Sequence, residues 1–169
     1  MNRITTAAIV AIGLWATLVF APAIRAQGAG QTPPPGALTN ESLKAMLDGL
    51  GYDPKEMDHG YVATLKRDGW ADGIQFGLSS DGTKLGLNSY LGSIEKPDAV
   101  TAAQWKKLLE DNFVVNPSFI SLDPKSNRLF MVRVLDNHGI TAAYLRQQVD
   151  NFCTNIHGTA ADWRIAGSE

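Results

Sequence analysis

His59, His138, His157 and Cys153 are the side chains in this chain that most readily bind metals or act as nucleophiles. A zinc-type centre takes three or four such ligands, with the imidazoles neutral. No two of the histidines lie within five residues of each other, so a site would have to converge from distant loops. His59 follows Asp58, and His138 sits in Asp136-Asn137-His138-Gly139; both read as turn residues. His157 falls near a helix end, where the negative end of the dipole favours an imidazolium. Cys153 has His157 one turn after it, but a helix interior does not present a nucleophile. A buried structural thiol is the simpler reading; a bridge to another molecule is the alternative.

The acids give no stronger signal. Asp68-Gly69-Trp70-Ala71-Asp72-Gly73 misses the calcium-loop spacing and reads as a hairpin turn, with weak cation binding as the alternative. Glu110 and Asp111 are expected on the solvated side of a helix. No nucleophile elbow, phosphate loop or dinucleotide fingerprint is present. The expectation is therefore no catalytic residue, no cofactor and no metal. Among the aromatic residues Trp70, Tyr90, Trp105 and Trp163, the first two suit partner binding better. Trp105 reads as the staple of its helix.

Three segments carry the same helix-start chemistry: Leu38-Thr39 with Leu43, Val100-Thr101 with Trp105, and Ile140-Thr141 with Leu145. Each Thr can accept from an orphan first-turn amide while the apolar pair closes over it. Behind the caps, apolar residues recur at helical spacing: Leu43, Met46, Leu47 and Leu50; then Trp105, Leu108, Leu109 and Phe113; then Leu145, Val149, Phe152 and Ile156. Gly51 and Gly158 stand where left-handed caps are expected.

Strand signals fill the gaps. Tyr61–Lys66, Trp70–Leu78 and Lys84–Leu91 are separated by Asp68-Gly69 and Asp81-Gly82. Ser118–Leu122 and Arg128–Leu135 form a second hairpin, and the run Phe130-Met131-Val132 places the latter centrally. On the first three strands one face is apolar, whereas Gly73, Gln75, Gly77, Gly86, Asn88 and Tyr90 make the other small and polar. That pattern predicts an α+β fold: an antiparallel sheet with helices packed on one face, in the order α-β-β-β-α-β-β-α.

Organisation follows from composition. Of 169 residues, 44% are hydrophobic and 19% charged, as in an ordinary globular chain. Arg3 precedes twenty-one uncharged residues, Ile4 to Ile24, which reads as an export signal over residues 1–26, cleaved after Ala23 or Ala26. An uncleaved membrane anchor is the competing reading. Residues 27–37 contain Pro33-Pro34-Pro35 and form a Pro/Gly-rich linker, and residues 38–169 a single domain. Loss of the leader leaves thirteen basic against seventeen acidic residues, so no electrostatic footprint for nucleic acid exists.

The order of elements and several residues resemble the YbjN-type domains, whose fold is similar to type III secretion chaperones of the Tir chaperone class. The resemblance rests on Asn112, Phe119, Arg128-Leu129 and the run Gly139-Ile140-Thr141-Ala142-Ala143-Tyr144-Leu145-Arg146 through Phe152 to Trp163, more weakly on Leu47, Gly51 and Tyr52. Several YbjN-type sequences carry an Asn-Trp-Asn-like cluster near the second helix; only Trp105 and Asn112 stand there. The resemblance implies a non-enzymatic domain that holds partner polypeptides or acts in regulation. The secretion chaperones are commonly cytosolic dimers, so an export leader argues against carrying over their client role.

The sequence thus points to an exported protein-recognition or chaperone-like module, periplasmic or extracellular after cleavage. Its partner would be a protein or a second copy in a homodimer. It would act through a sheet face and edge, with Gln75, Asn88 and Tyr90 on the face and Trp70 at its margin. A small-molecule or lipid carrier, and an enzyme with dispersed catalytic residues, are the alternatives.

Overall fold

The computed structural model describes residues 35–164; the expected leader and most of the expected linker lie outside them. The three Thr caps form as expected. Thr39 and Thr101 close reciprocal capping boxes with Ser42 and Gln104, and Thr141 accepts from the Tyr144 amide. They open α1 (Asn40–Gly49), α2 (Ala102–Val114) and α3 (Ala142–Gly158). Gly51, at φ +78°, takes the left-handed conformation after α1. Gly158 does not: it stays helical, and the chain runs through Thr159 into a short α4 (Ala160–Trp163).

The strands are β1 (Lys55–Met57), β2 (Gly60–Arg67), β3 (Trp70–Leu78), β4 (Lys84–Ser93), β5 (Ser118–Asp123) and β6 (Arg128–Asp136). They form one antiparallel sheet in the order β1-β2-β3-β4-β6-β5, with β6 interior as expected. Strand β1 adds to the expected order. It is exposed throughout, so no apolar period could announce it. Its turn into β2 needs Gly60: at φ +109°, a Cβ there would meet the Phe76 carbonyl oxygen at 2.1 Å. Between β2 and β3, Asp68 and Gly69 both have positive φ, as a tight hairpin turn requires.

The core lies between one face of this sheet and the helices. Ile74, Phe76, Leu85, Leu87 and Met131 from the strands meet Leu43, Leu47, Leu145, Val149 and Phe152 from α1 and α3. The buried Asn137 side chain ties the domain's start to this body: it accepts from the Leu38 amide and donates to the oxygens of Leu38 and Gly82. Among the described residues no helix covers the opposite sheet face.

Two expectations about α2 fail. Leu109 and Phe113 do not enter the core; only Leu108 and Asp111 of this helix are buried, and Trp105 is half-buried. Asp111 thus lies inward, paired with Lys107 Nζ at 2.6 Å, and the same Nζ reaches Asp162 of α4 at 3.2 Å. The apolar residues of α2 exceed what one helix beside a sheet edge can bury.

Candidate functional site

The reactive side chains do gather in part. His157 Nε2 lies 2.8 and 3.1 Å from the two oxygens of Asp72, which is buried on the core-facing side of β3. The Trp70 ring stacks on the imidazole at 4.3 Å, and the Arg164 guanidinium lies 4.9 Å from the Trp70 ring centroid. Burial, then the charge of and a hydrogen bond to Asp72, push the Cys153 thiol up to about 12. Cysteine, histidine and aspartate are therefore neighbours, yet in the wrong order for nucleophilic catalysis. The carboxylate stands between the other two, so no imidazole is aimed at the sulfur, and the thiol is held protonated. The group is a staple joining α3 and the chain after it to β3. Sequence spacing could not reveal it, because Asp72 and His157 are eighty-five residues apart. The only available signal was an acid at an inward position of a period-two strand.

His59 and His138 are exposed and join neither each other nor this cluster. Among the described residues, no group of three or more His, Cys, Asp or Glu is placed to hold a metal ion.

The residues expected to contact a partner divide between the two faces. Gln75 and Asn88 are cross-strand partners on the uncovered face, and Tyr90 follows two residues along β4. Trp70 belongs to the helix-covered face, against His157. Trp163 is buried, its indole N–H donating to the Ile156 oxygen at 3.0 Å. The uncovered face also has an apolar half that the first three strands did not announce. Tyr90 lies opposite Phe130, Phe119 opposite Val132, and Val134 is half exposed next to Asp136. Beside them, Asn88 Oδ1 is shielded from solvent with no hydrogen-bond partner among the described residues.

A second apolar surface runs along α2. Leu109, Phe113 and Val114 are 71%, 88% and 75% exposed. Leu109 also lines an open apolar groove of about 370 Å³ whose walls include Trp105, Leu108, Ile120, Leu122 and Leu129. The β5 edge beside this groove is less available than an edge strand usually is. Asn112 of α2 accepts from the Ile120 amide at 2.5 Å and donates to its carbonyl at 3.3 Å. That side chain occupies the position of a neighbouring strand, which removes β5 as a free template for pairing.

No family model matches the chain, and no curated protein matches it. Solved structures do. ExsC in its complex with ExsE aligns with a TM-score of 0.53 at 15% identity, over 72% of this chain and 90% of that one. The HopA1–SchA chaperone–effector complex aligns at 0.52, 16% identity, 72% and 95%. YbjN from E. coli aligns at 0.51, 17% identity, 73% and 92%. The chain has the YbjN and type III secretion chaperone fold. At these identities the likeness concerns the fold, and the site must be read from this chain's own residues.

Proposed function

We propose that this chain is an exported, non-enzymatic protein-recognition module of chaperone-like type, and that the α2 stripe is where a second copy docks. The observation that carries this reading is the stripe itself: Leu109, Phe113 and Val114 are large apolar side chains left in solvent on one helix, and Leu109 also lines an apolar groove. Burying each would contribute about 2 kcal/mol, and two copies of the stripe approach the roughly 4–15 kcal/mol that association costs. Self-association suits the flanking charges. Lys106 and Glu110, paired with each other on either side of Leu109, can exchange partners across a two-fold axis between antiparallel helices.

The uncovered sheet face would then take a client polypeptide through Tyr90, Phe130, Phe119 and Val134, with Gln75 and Asn88 supplying polar contacts and Trp70 shaping the covered side. Two of the similar structures are complexes with a protein partner. The expected leader at residues 1–26 would deliver the domain to a periplasm or beyond, its mature chain starting at Ile24 or Gln27.

The α2 groove also favours a second reading, a carrier of a lipid chain, since its lining is mainly apolar. Sedimentation velocity on residues 27–169 and on Phe113→Glu separates the two. A dimer that the substitution converts to a folded monomer supports recognition. A monomer throughout, with an aliphatic ligand retained in native mass spectra, supports the carrier.

A further inference from the structure

Among the described residues three charged side chains are buried, Asp72, Asp111 and Arg133. Asp72 has His157 and Asp111 has Lys107. Arg133, on the covered face of β6 and 2% exposed, has no acidic partner among the described residues. Its Nε donates to Ser118 Oγ at 2.9 Å, and its Nη1 to the backbone oxygen and Oε1 of Gln148 at 3.1 and 2.9 Å. All three acceptors are neutral. Burial draws the guanidinium below the ordinary arginine range, and among the described residues the charge of the Tyr144 phenol opposes this. A cation removed from water without an opposite charge is costly, and an anion beside it would recover part of that cost.

The guanidinium is not sealed. It lines an opening of about 400 Å³ with Asn116, Tyr144, Gln148, Asn151 and Asn155, and no acid is in the wall. Tyr144, Gln148, Asn151 and Asn155 share one side of α3, spaced i, i+4, i+7 and i+11, next to the apolar stripe that enters the core. Arg133 Nη2 makes no hydrogen bond within the described residues, so its two protons are available to a ligand.

We propose that this opening binds a small monocarboxylate, with Arg133 Nη2 as the charged donor and the Tyr144 hydroxyl and Asn151 amide as neutral partners. One cation and no acid in the wall match a single negative charge. A phosphate dianion would bring a second charge that no group in the wall neutralises. The site lies apart from the α2 groove and does not depend on the recognition reading.

The test titrates acetate into the mature chain, with chloride at equal ionic strength as control and phosphate as a second arm. The readouts are the side-chain NMR signals of Arg133, Gln148 and Asn151 and the melting temperature. Acetate is expected to shift those signals saturably and to raise the melting temperature, while chloride does neither. Gln148→Glu puts a carboxylate where Oε1 already meets Nη1. This variant is expected to melt higher than the parent and to bind acetate roughly tenfold more weakly or worse. Three results would overturn the proposal: no saturation by acetate in the parent, unchanged acetate affinity in Gln148→Glu, or phosphate dianion binding tighter than acetate.

Discussion

At the residue scale, the histidines separate by environment rather than by type. His157 is partnered with a buried carboxylate and stacked on Trp70, whereas His59 is exposed. Replacing His157 by Ala leaves the Asp72 carboxylate buried without its partner, which should cost about 3 kcal/mol, while His59→Ala should stay within about half a kcal/mol. Urea denaturation of both variants measures the contrast. Cys153 offers a chemical check. With its pKa pushed up to about 12, the native thiol should resist alkylation at pH 8 and react only on unfolding. The sign for stability follows. The folded state keeps the thiol proton longer than the unfolded chain does, so this contribution holds below about pH 9 and is lost as pH rises towards 12. Mass spectra of native and urea-unfolded protein after alkylation read this directly. The His157–Asp72 pair was illegible in the sequence because its partners meet only through tertiary packing.

Elements were more legible than contacts. Thr39, Thr101 and Thr141 mark helix starts because an N-cap is a local device, complete within four residues of chain. Period two on β3 and β4 showed which face is covered. The α2 stripe deceived for a physical reason: apolar spacing tells that a helix has an apolar side, not whether this chain supplies what covers it. Leu145, Val149 and Phe152 on α3 have the same kind of spacing and are fully buried. Leu145→Ala or Phe152→Ala should therefore cost about 2–5 kcal/mol in chemical denaturation. Asn112 predicts differently. Asn112→Ala removes both bonds to Ile120 and uncovers the β5 edge. The expected outcome is a loss of about 1–3 kcal/mol together with faster amide exchange at Ile120.

For the whole molecule, fold and surface carry different information. The sheet with its helices on one side is shared with YbjN and the secretion chaperones at 15–17% identity, so the architecture does not depend on a particular surface. Two features of this chain face solvent, an aromatic half on the sheet face that the described helices leave uncovered and an apolar stripe on α2, while an arginine without an acid is buried on the covered face. The α2 side chains, 71–88% exposed, add little to the stability of the isolated domain. A contiguous exposed apolar patch marks a surface that another molecule meets.

That claim is tested most directly by amide hydrogen exchange of residues 27–169 across a range of protein concentrations. Protection within α2 near Leu109, Phe113 and Val114 should rise with concentration while α1 and β3 stay constant, and Phe113→Glu should abolish the rise. Exchange in α2 that is identical at every concentration, in the parent and in the variant alike, would contradict the account.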